Sequence, residues 1–220
     1  MNNLIRAFLF DLDGVLTDTS EFHFQAWKRL ADDYGIAFSH QDNEALRGVS
    51  RRESLARLLK GYPVNEEQAD QMMETKNNYY LELVNKMTPS NLLPGVKEIL
   101  EELGILGIKR VIVSASKNAP LVIKRLQIEP WIDSVVDGNA PARSKPFPDL
   151  FLLAAQKIGL EPGECLVVED AAAGIEAAHA AGMLALGLGP FERVGAADLV
   201  LPSLEGQKAA DILMKIAPTT

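Results

Sequence analysis

The chain has 220 residues, and its 22 lysines and arginines are outnumbered by 30 aspartates and glutamates, which gives a formal net charge of −8. This balance disfavours nucleic-acid binding, because such binding draws its affinity from clustered cations against phosphate. The apolar fraction of 47% and the charged fraction of 24% are close to globular averages and disfavour a disordered or fibrous chain.

Cysteine content and hydropathy bear on the cellular compartment. Cys165 is the only cysteine, which excludes an internal disulfide and a multi-cysteine metal site. Arg6 interrupts the apolar N-terminal stretch, and no later apolar run approaches 18 residues, so we expect neither a signal peptide nor a membrane span. These features predict a soluble protein of the reducing cytoplasm.

The first predicted element is a short apolar strand, 7–10, which ends abruptly in Asp11-Leu12-Asp13-Gly14. A fully apolar run of this kind is typical of a central strand that is buried on both faces. The polar residues and the glycine that follow it indicate the functional edge of a sheet.

Three segments with helical spacing come next. They are a helix around 22–34 that ends at Gly35, a helix that begins with the capping-box pattern Ser50-x-x-Glu53, and a long helix within 65–86. Between residues 18 and 87 we find no strand-like run, so this region is predicted to be an all-helical unit.

After Pro89 the pattern changes, and strands alternate with helices. The predicted strands are 111–113, 134–136, 166–168 and 184–188, and the predicted helices are 95–103, 120–126, 149–158 and 173–181. This alternation implies right-handed βαβ crossovers and a mostly parallel sheet. We therefore predict an α/β fold: a Rossmann-like parallel-sheet core, residues 1–16 and 89–220, with an inserted all-helical cap, residues 17–88.

Polar side chains follow four of the predicted strands. They are Asp11 and Asp13, Ser114-Ala115-Ser116, Lys145, and Glu169-Asp170. Because ligands of open parallel sheets bind beyond the carboxyl ends of the strands, we expect these residues to form one site. Four converging carboxylates need a cation among them, and an oxygen-only cluster favours Mg²⁺. With a divalent ion present, one aspartate can attack phosphorus, and the second, with a raised pKa, can move a proton.

Each of these features also has a structural interpretation. Glu169-Asp170 and the serines at 114 and 116 are typical helix-capping residues, and Lys145 could be a solvated loop lysine. His23 could be an ordinary residue at the boundary of a helix, and Cys165 is interpreted as core filler. The combination at four strand ends favours the functional interpretation.

Four segments resemble, in order, the four motifs of the haloacid dehalogenase superfamily. They are Phe10-Asp11-Leu12-Asp13-Gly14-Val15, Ser114-Ala115-Ser116-Lys117-Asn118, Lys145-Pro146 and Glu169-Asp170. The resemblance extends over essentially the whole chain. Cap segments further resemble a sugar-phosphate mutase subgroup: Thr17-Asp18-Thr19, Phe22-His23-Phe24-Gln25-Ala26-Trp27, Gly48-Val49-Ser50-Arg51 and Lys76-Asn77. The chain departs from the subgroup at Ala171, where the subgroup carries a hydroxyl residue.

The resemblance implies a role for each matching residue. Asp11 would be the nucleophile and Asp13 the general acid and base. Mg²⁺ would be held by Asp11, the main-chain carbonyl of Asp13, Glu169 and Asp170. Ser114, Ala115 and Lys145 would hold the transferring phosphate, and Arg51 the distal phosphate. The implied substrate-side contacts are Gly48, Val49, Ser50, Ser54, Lys76, Ser116 and Asn118. Thr19 would lie near the hinge between core and cap, and His23 would link cap closure to Asp13.

The implied activity is the interconversion of β-D-glucose 1-phosphate and glucose 6-phosphate by a monomer, through an aspartyl-phosphate and a bound glucose 1,6-bisphosphate. A Mg²⁺-dependent phosphatase of sugar phosphates or other small phosphomonoesters is the alternative within the superfamily. A dehalogenase needs no metal and would leave the acidic cluster unneutralised. A phospho-accepting signalling module is a further class, but it would not need a cap.

Overall fold

The computed structural model describes residues 4–46 and 49–216. Its strands are β1 (Ala7–Phe10), β2 (Lys109–Val113), β3 (Ser134–Val136), β4 (Cys165–Glu169), β5 (Leu184–Leu188) and β6 (Leu199–Leu201). These strands form one parallel sheet in the order β3-β2-β1-β4-β5-β6. The predicted α/β fold with a parallel sheet is confirmed.

The described ranges contain ten α-helices. They are α1 (Ser20–Asp33), α2 (His40–Glu44), α3 (Arg51–Leu59), α4 (Glu66–Val84), α5 (Val96–Ile105), α6 (Ala119–Leu126), α7 (Asp149–Ile158), α8 (Ala172–Ala180), α9 (Phe191–Val194) and α10 (Ala209–Ile216). Short 3-10 turns lie at Pro89–Asn91, Glu129–Trp131 and Pro162–Glu164. Helices α1 to α4 all fall between β1 and β2.

Strand β1 lies at the centre of the sheet, as its apolar sequence predicts. All four of its residues are buried, because β2 and β4 flank it and apolar layers cover both faces. Phe10 is in register with Ile112 of β2 and Val168 of β4. Consequently the residues that follow these three strands reach the same edge of the sheet.

The helices of the insert have an apolar core of their own. Buried residues from α1, α3 and α4 form this cluster, which includes Trp27, Leu30, Leu55, Leu58 and Met72. Full burial of each such side chain contributes about 1.5–3 kcal/mol. At its C-terminal end, α4 instead packs on the main core through Tyr80 and Val84. The placement of the domain boundaries at 16/17 and 88/89 stays a prediction.

Four short or late elements were not predicted from the sequence: α2, α9, β6 and α10. Only half of the capping box at Ser50 forms, because the Ser50 side chain accepts from the Glu53 amide whereas the Glu53 carboxylate pairs with Arg57. Of the helices in the described part of the chain, none has the length and apolar character needed to cross a bilayer.

Candidate active site

Three carboxylates meet at the carboxyl edge of the sheet. Asp11 follows β1, Glu169 ends β4, and Asp170 comes directly after it. Each offers an oxygen, and the three oxygens lie within 4.8 Å of one another. All three residues are buried, with exposed fractions of 8%, 1% and 5%. This oxygen-only donor set fits a hard divalent cation, as the sequence predicts.

Two glycines leave room for these carboxylates. A Cβ at Gly14, which has φ +90°, would lie 2.3 Å from Oδ2 of Asp170. A Cβ at Gly174 would lie 2.0 Å from the carboxyl carbon of Glu169. Any larger residue at either position would therefore displace a member of the cluster.

Lys145 supplies positive charge within the cluster. Its side chain is buried and forms ion pairs with both Asp11 and Glu169. Its Nζ also lies 3.4 Å from the carbonyl oxygen of Val113 at the end of β2. Burial alone would lower the pKa of Lys145, but the carboxylates of Asp11 and Glu169 outweigh it and raise that pKa. Lys145 is therefore a charged residue of the site and not a solvated loop lysine.

Glu169 also accepts hydrogen bonds from the turn that follows β4. Its Oε2 accepts hydrogen bonds from the backbone amides of Asp170 (3.1 Å) and Ala171 (3.2 Å). Burial raises the pKa of Glu169 to about 7, against the opposing effect of Lys145. The helix-capping interpretation of this acid is wrong, because Ala171 is the N-cap residue of α8 and no described side chain makes a capping bond there. The Glu169 carboxylate belongs to the cluster.

The turn after β2 presents hydroxyls and amides to the site. The Ser114 hydroxyl accepts a hydrogen bond from the Ser116 amide (3.1 Å), and the Ser116 hydroxyl accepts one from the Asn118 amide (3.2 Å). Asn118 is the N-cap residue of α6, but its side chain makes no capping bond. These contacts shape a turn that, with Ala115 between the serines, lines the cavity described below.

Asp13 has an environment that differs from that of Asp11. Its amide donates to Oδ2 of Asp11 (3.0 Å), whereas its own carboxylate accepts from the Thr19 hydroxyl. The Tyr80 hydroxyl in turn lies 3.5 Å from the Thr19 hydroxyl. Burial, followed by the charge of Asp11, raises the pKa of Asp13 to about 7. A carboxyl with a pKa in this range can both donate and accept a proton near neutrality, which is the property that the predicted role of Asp13 requires.

On the cap side, His23 of α1 contacts Lys76 of α4. The Lys76 Nζ lies 2.8 Å from His23 Nδ1, and it also lies 4.8 Å and 4.9 Å from the ring centroids of Trp27 and Tyr80. Burial and the charge of Lys76 hold the pKa of His23 well below its ordinary value, which favours a neutral imidazole. Burial and the charge of Arg51 likewise hold the pKa of Lys76 well below its ordinary value.

A cavity of about 620 Å³ separates the sheet edge from the cap helices. A volume of this size is typical of small-molecule sites. The predicted site residues that line it are Asp11, Asp13, His23, Val49, Ser50, Arg51, Ser54, Lys76, Ser114, Ala115, Ser116, Lys145, Glu169 and Asp170. Core and cap thus contribute to one cavity.

Two of the predicted site residues, Thr19 and Asn118, do not line this cavity, and a third lies outside the described residues. Thr19 is fully buried behind Asp13. The side-chain Nδ2 of Asn118 donates to Oδ1 of Asn77 at 2.8 Å, which links α6 to α4. Gly48 lies outside the described residues.

Several lining residues were missed by the sequence reasoning. They include Ser20, Asn43, Leu46, Arg52, Asp70, Met73, Glu74, Asn77, Lys117 and Ser144. Asp70, Met73, Glu74 and Asn77 are spaced as i, i+3, i+4 and i+7, so they share one face of α4. Once one of these four residues is assigned to the cavity, that spacing is the signal that could have identified the other three.

Comparison with known proteins gives a consistent result. Residues 5–182 match the model of the haloacid dehalogenase-like hydrolase family. The chain is 42% identical over 203 residues to a β-phosphoglucomutase of Bacillus subtilis, which covers 90% of this chain and 89% of that protein. It is 34% identical over 205 residues to hexitol phosphatase A of Escherichia coli, which covers 91% and 92% of the two chains.

A solved structure gives a similar match. The β-phosphoglucomutase of Clostridium difficile superposes with a TM-score of 0.93 at 40% identity, covering 97% of each chain. The resemblance carried by the four motifs is confirmed. The chain belongs to the haloacid dehalogenase-like hydrolase family.

Proposed function

We propose that this family member is a phosphomutase that interconverts β-D-glucose 1-phosphate and glucose 6-phosphate through a bound glucose 1,6-bisphosphate. The observation that carries the proposal is the position of Arg51. This residue belongs to the cap helix α3, yet it lines the same cavity as Asp11 at the sheet edge. A guanidinium can hold one phosphate while the other faces the nucleophile, which is the arrangement a mutase needs.

Asp11 is the proposed nucleophile. Its carboxylate attacks phosphorus and forms an aspartyl-phosphate while the bond between phosphorus and the sugar oxygen breaks. Lys145 and the turn Ser114-Ala115-Ser116 hold the phosphoryl oxygens. Asp11, Glu169, Asp170 and the main-chain carbonyl of Asp13 would hold Mg²⁺, which when bound screens the charge of the transferring group.

Asp13 is the proposed general acid and base. With a pKa raised to about 7, it is available in both protonation states near neutrality. As the sugar oxygen leaves phosphorus, Asp13 donates a proton to it. In the reverse half-reaction Asp13 takes the proton of the attacking sugar hydroxyl while the phosphoryl group leaves Asp11. Thr19 holds the Asp13 carboxylate, and His23 connects this part of the core to the cap.

The cap residues give the proposed reaction its specificity for a sugar over water. A phospho-enzyme that donates to a sugar must exclude water, and a helical lid over the cavity can do this. The proposed sugar-phosphate contacts from the cap are Val49, Ser50, Arg51, Ser54 and Lys76, with Asn118 contributing from the core and Gly48 outside the described residues. After the first transfer, the bisphosphate would turn end for end, so that Arg51 holds the phosphate that Asp11 has just transferred.

One assay tests the mutase against the phosphatase alternative, which the similarity to hexitol phosphatase A keeps in view. Protein and Mg²⁺ are mixed with β-D-glucose 1-phosphate and a trace of glucose 1,6-bisphosphate, and both glucose 6-phosphate and inorganic phosphate are followed. We expect glucose 6-phosphate to accumulate far faster than free phosphate. Stoichiometric phosphate release without glucose 6-phosphate would contradict the proposal and support a phosphatase.

The proposal also covers the cellular compartment of the protein and its oligomeric state. A buried lone cysteine and a sugar-phosphate substrate suit the reducing cytoplasm. Both walls of the cavity come from this one chain, so a monomer is a sufficient catalytic unit. Size-exclusion chromatography with light scattering tests the monomer, and a requirement for the dimer in activity would contradict it.

A further inference from the structure

Arg193 lies next to Asp170, one of the three carboxylates of the cluster. Lys145 forms ion pairs with Asp11 and Glu169, whereas the Nη2 of Arg193 lies 3.8 Å from Oδ2 of Asp170. Arg193 belongs to the short helix α9 after β5, which is outside all four sequence motifs. It approaches Asp170 without lining the cavity.

The surroundings of Arg193 leave room for the guanidinium beside Asp170. Gly189 has φ +124°, and a Cβ there would lie 2.5 Å from the Nη2 of Arg193, so the absence of a side chain leaves the necessary space. The Nε of Arg193 is buried and has no hydrogen-bond partner among the described residues. At 3.8 Å the contact with Asp170 is longer than a hydrogen bond. Arg193 therefore acts on Asp170 mainly through its charge.

We propose that Arg193 weakens the affinity of the cluster Asp11, Glu169 and Asp170 for its divalent cation. The inference rests on the proposed magnesium site. When all three carboxylates are ionised, as they are when they bind a cation, they carry with Lys145 and Arg193 a formal charge of −1, and without Arg193 the same group carries −2. A divalent cation is attracted more strongly to the second arrangement, because Coulomb attraction scales with the charge that it meets. Arg193 is thus a tuning residue that acts through Asp170.

Calorimetric titration of Mg²⁺ into metal-free protein tests the proposal directly. For Arg193→Gln we expect the dissociation constant to fall by about three- to tenfold, the range of a partly screened charge acting on a divalent ion. Arg193→Lys keeps the charge and should stay within about twofold of the wild type. Because a third of the Arg193 side chain is exposed, the effect of Arg193→Gln should shrink as KCl is raised.

Arg6→Gln provides a matched control for the change in net charge. Arg6 precedes β1, is itself exposed, and pairs with the half-buried Glu164 at the opposite edge of the sheet from the cluster. We expect the dissociation constant of the Arg6→Gln variant for Mg²⁺ to match that of the wild type at every salt concentration. Arg193→Met serves as a second neutral variant of similar length if Arg193→Gln does not fold, with the same expected decrease.

The outcomes separate this inference from the proposed function. An unchanged or increased dissociation constant in the neutral variants, with normal binding by the wild type, would overturn the role of Arg193 and leave the magnesium site standing. A decrease that does not depend on salt, or that Arg193→Lys shows equally, would also overturn it by indicating a packing effect. A wild-type protein that binds no Mg²⁺ would contradict the proposed metal site, and this inference with it.

Discussion

The core and the cap treat their buried charges differently. In the core, the Lys145 ammonium pairs with Asp11 and Glu169, so positive and negative groups are already matched. In the cap, the Lys76 Nζ contacts the imidazole of His23 and lies over two aromatic rings, and burial lowers the pKa of Lys76 and that of Arg51. An anion bound in the cavity would offset the desolvation of Lys76 and Arg51 and favour the charged form of each. The comparison indicates that the charges of the core are matched before substrate binds, whereas the basic groups of the cap need a phosphorylated ligand as their counter-charge.

The largest expected effect comes from the core. Asp11→Asn removes the anionic nucleophile with almost no change in shape, so we expect turnover of β-D-glucose 1-phosphate to fall by about 10⁴-fold or more. A coupled assay for glucose 6-phosphate measures this loss, and the far-ultraviolet circular dichroism spectrum checks folding. A correctly folded variant with more than about one hundredth of wild-type turnover would show that Asp11 is not the nucleophile.

Asp13→Asn separates the two aspartates of the core. We expect a loss of about 10²–10⁴-fold in kcat, because an amide cannot move the proton. Mg²⁺ affinity should stay within about twofold, since Asp13 is proposed to bind the ion through its main-chain carbonyl. Calorimetry and steady-state kinetics on one preparation measure both quantities. A loss of Mg²⁺ binding that equals the loss of turnover would indicate a metal ligand instead of a proton carrier.

Arg51→Ala tests the cap half of the comparison. Losing a half-buried charge-assisted phosphate contact should lower kcat/KM for β-D-glucose 1-phosphate by about 10²-fold, while Mg²⁺ affinity stays unchanged. Arg57→Ala is the matched control on the same helix, because Arg57 is exposed and pairs with Glu53. Equal losses of substrate turnover and Mg²⁺ affinity in Arg51→Ala would show that core and cap are not energetically separate at this site.

Lys76→Met should stabilise the protein while it impairs turnover. Lys76 is 2% exposed, and an apolar side chain there avoids the cost of burying an amine beside Arg51. We expect the free energy of unfolding in urea at pH 7 to rise by about 1–2 kcal/mol. Lys86→Met, at an exposed position, should change it by less than about 0.5 kcal/mol.

The pH dependence of this gain has a definite sign. The pKa of Lys76 is lower in the folded state, so above that lowered value the unfolded chain binds more protons, and wild-type stability rises with pH. The advantage of Lys76→Met should therefore be largest at neutral pH and shrink toward pH 10.5. His23 and Arg51, which face Lys76, and nearby Asp13 are present in both proteins. An advantage that grows with pH would contradict the buried-amine account.

The core could be predicted from the sequence more completely than the cap. Strand β1 and its aspartates were recognisable because a fully apolar run leads directly into acids and a glycine. Helix α7 was predicted with the same first and last residues that the structure gives it. A raised pKa for the second aspartate was predicted from the convergence of acids on one sheet edge, whereas in the structure burial of Asp13 is the largest cause and the charge of Asp11 comes second.

The parts that were missed depend on contacts between distant segments. Arg193 approaches Asp170 because α9, which follows β5, packs against α8, the helix that follows β4, and no local pattern marks that approach. The pairing of Tyr80 with Thr19 and His23 likewise requires α4 to lie against α1. The five-residue helix α2 and the three-residue strand β6 are too short to show a clear hydrophobic period.

The most direct test of the account asks whether Asp11 carries phosphate when a divalent ion is present. Protein incubated with glucose 1,6-bisphosphate and Mg²⁺ is treated with borohydride, which reduces an aspartyl-phosphate to homoserine, and its peptides are analysed by mass spectrometry. We expect homoserine at position 11, and none there when EDTA replaces Mg²⁺. Homoserine at another aspartate, or turnover that EDTA leaves undiminished, would contradict the account.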